Sequence, residues 1–269
     1  MALEETLKRV MKTARKWNMT SQNMGANYKC YICKDTGWVQ GKNGYRRCVC
    51  QKKNYLQKLW KSFGVDPKEV KKLNEYKTYD DVTMSARNKS VDYIKKFQSI
   101  KTLRNNSFGL FGQPGAGKSH IVIAIGAALL DKGIQVVYMP YLEAMRQLKA
   151  NANDYKYYLK FSNRYQKAKV LIVDDLFKDK IKNGQLIKDN YGHIKGLNEA
   201  DMKNMYPILN YRYINKLPTL ISSECTPIDL QNLDESLSGR ILESCGDNIV
   251  VFKSRKYNYR MRKFVKGGE

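Results

Sequence analysis

No apolar run in this sequence is long enough to cross a bilayer. The longest, Ile121–Leu130, has about half the length that a membrane helix needs. The opening "MALEETLKRVMKTARKW" lacks the apolar middle of a signal peptide, and Glu4 and Glu5 argue against a transit peptide. A cytoplasmic protein with no membrane partner is expected. Internal repeats are absent as well. Histidine numbers only 2. His193 lies in a polar loop, where it is solvated or touches a polyanion. His120 opens a helix, where it is expected to pack or cap rather than do chemistry.

Acid is the other scarcity. Asp and Glu total 25 against 49 Lys and Arg, for a formal net charge of +24. Residues 1–72 hold 17 basic and 5 acidic residues, half of the excess. A second basic patch, "FKSRKYNYRMRKFVKGG", lies near the end. Solubility accounts for a milder excess than this, and nucleic acid is the commonest cytosolic polyanion. The 19 tyrosines, often beside Lys or Arg, add surfaces for unpaired bases. In the helical stretch "DYKYYLKFSNRY" (154–165), Lys156, Tyr157 and Arg164 are the candidate contacts. The same stretch reads equally well as a helix with its aromatics packed inward.

What is present centres on "GLFGQPGAGKSHIVIAIGAALL". Gly112–Ser119 fits G-x-x-x-x-G-K-[ST]. Phosphate binding needs successive backbone N–H groups turned into one concavity, a shape that side chains beyond glycine obstruct. The loop Gly112, Gln113, Pro114, Gly115, Ala116, Gly117 follows a buried strand and leads into a helix whose positive end, with Lys118, Ser119 and His120, faces the same site. Lys118 is expected on the β- and γ-phosphates of ATP, and the Ser119 hydroxyl on Mg²⁺. "KVLIVDDLF" (169–177) has the pattern of a central parallel strand ending in two carboxylates. Ligands of such sheets bind at the carboxyl ends of strands. Asp174 is the expected Mg²⁺ partner, and Asp175 the group that orients or deprotonates the attacking water.

Four of the 6 cysteines fall in "CYICKDTGWVQGKNGYRRCVC". In a reducing compartment this spacing argues for metal rather than disulfides. Cys30, Cys33, Cys48 and Cys50 are the candidate ligands of a structural Zn²⁺, with an Fe–S cluster as the minority reading. Cys225 and Cys245 read as packing residues.

The expected organisation is an N-terminal region, 1–72, holding a basic helix (to about residue 28), the metal module and a helical linker. A nucleotide domain, 73–269, follows. Strands 108–111, "IQVVYMP", "VLIVDD", "PTLISSE" and "NIVVF" alternate with helices, which means an α/β fold with a parallel sheet. The segment 178–199 is expected to be a loop.

The run "SFGLFGQPGAGKSHIVIAIGAALLDKGIQVVYMPYLEAMRQLK", with "VLIVDDL", "PTLISSE", "LSGRILES" and "NYR" in that order, resembles the bacterial helicase loaders of the DnaC/DnaI type and the related IstB transposition ATPases. "CYICKDTGWV…CVC" is similar to the zinc-bearing start of DnaI-like and phage-encoded loaders. The resemblance implies an AAA+ P-loop ATPase with a five-stranded sheet of order 5-1-4-3-2 and no separate helical lid. It implies ATP/ADP, Mg²⁺ and Zn²⁺ as cofactors. The implied partners are a hexameric replicative helicase of the DnaB type, single-stranded DNA, and further copies of the chain meeting at the ATP sites. Arg240 falls at the position of an arginine that reaches a neighbouring subunit's γ-phosphate, and Arg260 at that of the second-sensor arginine. The chain departs from the pattern where the sensor-1 strand ends. Glu224 stands in place of the usual Asn, leaving Ser222 or Ser223 as the polar contact, and Ser244 replaces a second arginine. These departures imply slow, partner-dependent hydrolysis. Two other readings stay open: an IstB-like transposition ATPase, and a nucleic-acid adaptor whose nucleotide site no longer hydrolyses.

Overall fold

The structure is a computed structural model that describes residues 28–41, 44–182 and 184–265. The basic helix expected before residue 28 lies outside them. The chain divides into two compact units, the second beginning at Tyr55. The boundary expected from the sequence lies at 72/73. Leu59 and Phe63 of the linker are buried in the core of the larger unit, so the linker belongs to that unit.

In the small unit, strands β1 (Trp38–Gly41) and β2 (Gly44–Arg47) form an antiparallel hairpin, with Trp38 opposite Arg47. Helix α1 (Val49–Phe63) leaves it.

The larger unit is built on a parallel sheet of five strands. These are β3 (Phe108–Gly112), β4 (Val136–Pro140), β5 (Val170–Asp174), β8 (Thr219–Ser223) and β9 (Ile249–Phe252), in the order β4-β5-β8-β3-β9. Counted along the chain, this is 5-1-4-3-2, as expected. The three inner strands are buried at every residue, whereas the edge strands β4 and β9 are only partly buried. That contrast follows from position, since an inner parallel strand is covered by helices on both faces.

One face carries α1, α2 (Asp81–Ile100) and α3 (Lys118–Asp131). The other carries α4 (Tyr141–Ala150), α5 (Tyr155–Gln166), α6 (Glu199–Ile214), α7 (Pro227–Leu233) and α8 (Glu235–Cys245). Helix α2 was not anticipated. It starts at a capping box, where the Asp80 carboxylate accepts the Thr83 N–H at 2.9 Å. Its buried residues Thr83, Ala86, Ser90, Tyr93 and Phe97 repeat every three or four positions.

The expected loop at 178–199 is partly ordered. Strands β6 (Ile181–Lys182) and β7 (Gln185–Leu186) pair antiparallel, and Ile181 and Leu186 are buried. At its base the Asp201 carboxylate, fully buried, accepts from Lys149 (3.2 Å) and pairs with Lys180. A short helix, α9 (Arg262–Val265), follows the last strand.

Candidate nucleotide site and thiol cluster

Strand β3 ends at Gly112 and α3 begins at Lys118, so the loop between them bridges the sheet and a helix N-terminus. Gly112, Gly115 and Gly117 all have positive φ, at 95°, 77° and 82°. Space demands glycine as firmly as conformation does. A Cβ on Gly112 would run into the Phe252 carbonyl, and one on Gly115 into the Asn258 side chain. A Cβ on Gly117 would lie 2.7 Å from the Tyr76 ring.

These neighbours clasp the loop through hydrogen bonds as well. The Tyr76 hydroxyl donates to Ala116 O (3.0 Å), the Gln113 N–H to Phe252 O (2.8 Å) and the Tyr259 N–H to Gly115 O (3.1 Å). Pro114 lies within the same loop, half-buried. The first turn of α3 has no side-chain cap. Its N–H groups therefore keep their partial positive charge for an anion.

Lys118 is 5% exposed, and its ammonium donates to Gly112 O (2.7 Å) and Gln113 O (2.8 Å). Burial pulls its pKa down to about 8, against the opposing pull of Glu224, Asp175 and Asp174. Ser119 follows it, half-buried. His120 packs its ring edge against Tyr76, with its Nε2 3.0 Å from Lys72 O.

The Asp174 carboxylate is buried and held from two sides. It accepts the Tyr138 hydroxyl (2.8 Å) on one oxygen and the Ser222 hydroxyl on the other. Burial and the adjacent acid raise the Tyr138 pKa, so Tyr138 remains a donor. Asp175 has a left-handed backbone (φ 56°), and its N–H donates to Ser222 Oγ at 2.9 Å. Burial first, then the Asp174 charge, raises its pKa above the ordinary carboxylate value.

Of the two serines that end β8, Ser222 is the one bonded to a carboxylate. The Ser223 hydroxyl donates to Leu176 O (2.6 Å) and accepts the Cys225 N–H (3.1 Å), which is a structural role. Period-2 alternation along β8 separates the two. Glu224 forms an ion pair with Lys178.

Arg240 lies on α8. Its guanidinium donates to Ser236 O (2.8 Å) and sits near the rings of Tyr206 and Tyr213 on α6, contacts that include no member of the nucleotide site. Arg260 is exposed, one residue beyond the Tyr259 N–H that binds the loop. Lys156, Tyr157 and Arg164 share the exposed side of α5, while Tyr165 packs inward.

The sequence reasoning missed Tyr76, Tyr138, Asn258 and Tyr259. Asn258 and Tyr259 stand in the quoted "NYR", where only Arg260 carried an expected role, while Tyr76 and Tyr138 reach the site from two other elements.

In the small unit, the four sulfurs of Cys30, Cys33, Cys48 and Cys50 all lie within 4.8 Å of one another. Cys30 and Cys48 are 3.8 Å apart, and Cys33 and Cys50 3.5 Å. Metal–sulfur bonds of about 2.3 Å in a tetrahedron require sulfurs about 3.8 Å apart. The turn between the first pair is fixed by the Asp35 carboxylate, which accepts the Lys29 (3.1 Å) and Cys30 (2.9 Å) N–H groups. The donor set fits a tetrahedral thiophilic cation. Cys225 and Cys245 are fully buried, with thiols pushed up to about 12 by burial, and are packing residues.

Comparison with known proteins gives the family. The IstB-like ATP binding protein family matches residues 66–193. YqaM of Bacillus subtilis (strain 168) is 33% identical over 86% of this chain and 71% of its own. The phage-like element PBSX protein XkdC of the same strain is 31% identical over 90% of this chain and 89% of its own. The chain belongs to one family with YqaM and XkdC, and its residues 66–193 form an IstB-like ATP-binding domain.

Its fold matches a crystal structure of the DnaC helicase loader with a TM-score of 0.55 and 20% identity. The match covers 73% of this chain and 99% of that one. AMPPCP-bound DnaA from Aquifex aeolicus matches with a TM-score of 0.53 and 16% identity, covering 75% of this chain. The chain spans 57% of that DnaA structure, little more than half. Among the described residues, no helix is long and apolar enough to cross a membrane.

Proposed function

We propose that this protein is an ATP-hydrolysing helicase loader of a phage-type element, which delivers a ring-shaped replicative helicase onto single-stranded DNA. The observation that carries the reading is the pairing of a tetrathiol module with an AAA+ core whose fold matches 99% of the DnaC helicase loader. XkdC, from a phage-like element, is similar over 89% of its own length.

Each residue has a part in this reading. The N–H groups of 115–119 cradle the phosphates, and Lys118 leaves its loop carbonyls for the β- and γ-oxygens. Ser119 and Asp174 would hold Mg²⁺, which spreads the charge of the β- and γ-phosphates. Asp175, more basic than an exposed carboxylate, takes the proton of the attacking water. Arg240 of one copy reaches the γ-phosphate held by another, and Arg260 contacts the nucleotide within its own chain. Cys30, Cys33, Cys48 and Cys50 would hold Zn²⁺, which supplies a structural crosslink. The exposed Tyr31, Ile32, Trp38 and Tyr45 of that module offer the apolar contacts for the helicase. Lys156, Tyr157 and Arg164 offer phosphate and stacking contacts to single-stranded DNA.

The deciding experiment is a pull-down from a host lysate with ATP present. Retention of a hexameric helicase is expected. Retention of a transposase instead would favour the second reading, a transposition ATPase, which the IstB-like match over 66–193 supports.

Mixing variants tests the role of Arg240. Arg240→Ala should bind ATP normally yet lose about 10³-fold in turnover, as arginine fingers do. Lys118→Ala should lose nucleotide binding. A mixture of the two should recover activity, because one interface joins an intact Arg240 to an intact Lys118. A mixture that stays inactive, while each variant still assembles with wild type, removes Arg240 from the mechanism.

A further inference from the structure

Strand β8 lies between β5 and β3 in the sheet. Whatever follows β8 therefore emerges between the carboxylates at the end of β5 and the phosphate loop at the end of β3. The residue that follows is Glu224. The register pairs Phe111 with Ser223, which puts Glu224 beside Gly112, the first glycine of the loop. On the other side, Ser222 is bonded to Asp174.

An unpaired carboxylate is a poor neighbour for a triphosphate. Here it is neutralised by Lys178, which reaches it across 46 residues of sequence. Two left-handed residues, Asp175 (φ 56°) and Phe177 (φ 58°), turn the chain after β5, and the Lys178 N–H closes the turn on Asp175 O at 3.0 Å. Neither is a glycine, so this turn is held against the ordinary backbone preference. Its effect is to bring an ammonium back over the strand ends.

Two lysines and three carboxylates thus gather near the ends of β3, β5 and β8, where Glu224, Asp175, Asp174 and Lys178 all act on the Lys118 charge. The Lys118 ammonium is bonded to two backbone carbonyls. The Lys178 side chain remains about one-third exposed, whereas the Glu224 side chain is 10% exposed. An ammonium has three donors and accepts a second oxygen partner without losing the first.

Resting on the ATPase reading above, we propose that Lys178 is a second phosphate-binding lysine, which Glu224 holds at the end of the sensor-1 strand and which contacts the γ-phosphate of bound ATP. The pair does the work that a neutral Asn does in related ATPases, with the added charge matched by an added countercharge. The charges act on the candidate nucleotide site, since Glu224 is the strongest of the acids that raise the Lys118 pKa, and Lys178 lowers it.

In hydrolysis the water oxygen bonds to the γ-phosphorus, and the bond to the β–γ bridging oxygen breaks, its electron pair leaving with ADP. The water proton passes to Asp175. Lys178 moves no proton. It neutralises charge on the γ-oxygens, and so it should matter for ATP and not for ADP.

The test is a comparison of affinities for ADP and for a non-hydrolysable ATP analogue, measured with fluorescent nucleotides on the full chain. Lys178→Ala should leave ADP binding unchanged and reduce the preference for the triphosphate by about tenfold or more. Turnover should fall by about 10²-fold, as on removal of one oxyanion donor. Glu224→Gln should keep the triphosphate preference, because Lys178 is still present. The double variant should lose the preference as Lys178→Ala does.

Two results would overturn the proposal. One is an unchanged preference in Lys178→Ala. The other is full recovery in the double variant, which would mean that Lys178 only screens Glu224. If Lys178→Ala weakened ADP equally, the pair would be structural and the proposal wrong. Wild type that binds neither nucleotide would overturn the ATPase reading as well. Wild type that binds both, beside an unaffected Lys178→Ala, would overturn this inference alone.

Discussion

The two units of this chain are built from different materials. Among the described residues of the small unit, the buried side chains are two, Cys33 and Cys48, while Tyr31, Ile32, Trp38 and Tyr45 face solvent. The larger unit buries all of β3, β5 and β8, with apolar clusters on both sheet faces. A hairpin with no apolar interior does not fold on burial alone. The small unit would depend on a cation held between its four sulfurs. The larger one depends on area removed from water, and its nucleotide site inherits its geometry from strand ends fixed by that core. One unit should respond to chelators and the other to cavities.

The largest effect follows from that contrast. Structural zinc contributes on the order of 10 kcal/mol or more to the folding of such modules. Cys33→Ser, or a strong chelator, should unfold residues 30–50 completely and leave ATP affinity unchanged. Limited proteolysis, metal analysis and nucleotide titration on the full chain check this. Wild type with one equivalent of zinc, protease-resistant until chelated, is the expected starting point. Iron with visible absorption would replace zinc by a cluster. Loss of ATP binding on chelation would break the comparison itself.

The converse change belongs to the sheet. Ile172 is fully buried at the centre of β5, and its Cδ1 lies 2.6 Å from where a Cβ on Gly126 of α3 would stand. Helix and sheet are in close contact there. Ile172→Ala should cost about 2–5 kcal/mol in denaturant unfolding of the larger unit. Zinc content should not change. A loss of zinc in this variant would show that the two units do not fold independently.

How much of this was legible in the sequence depended on how local the signal was. The phosphate loop, the paired acids and the cysteine spacing are each short stretches with a fixed chemistry, and the five strands announced themselves as short apolar runs. Helix α2 gave no such signal, because Thr83, Ala86 and Ser90 make up three of its five buried residues. The segment read only as a helical linker, with Lys58 and Lys61 flanking Leu59 and Phe63, yet those two are core residues. The clasp on the phosphate loop was the least legible feature. Tyr76 precedes the motif by some forty residues and Asn258 follows it by well over a hundred, and both matter only through contacts that the fold creates. Glu224 read as a defect in a motif while its countercharge, Lys178, lay in a segment expected to be loop.

The smallest effect is a pH dependence, and it tests whether the nucleotide site belongs to the core. Lys118 titrates at about 8 because burial outweighs the attraction of Glu224, Asp175 and Asp174. A lysine on a solvated loop would titrate near its ordinary value, well above that. The triphosphate binds the ammonium form, so binding raises the Lys118 pKa again. Below about pH 8 the free protein already carries that proton, and affinity should not change on this account. Above about pH 8 the proton must be taken up on binding, so the apparent Kd should rise by up to about tenfold per pH unit until the bound-state pKa is reached. A fluorescent ATP analogue titrated from about pH 7 to about pH 9.5 reads the slope. Lys118→Arg, whose guanidinium stays charged throughout, should flatten it if nucleotide still binds. A Kd that is flat in the wild-type protein over the same range would mean that Lys118 is solvated and that the loop is not part of the packed sheet.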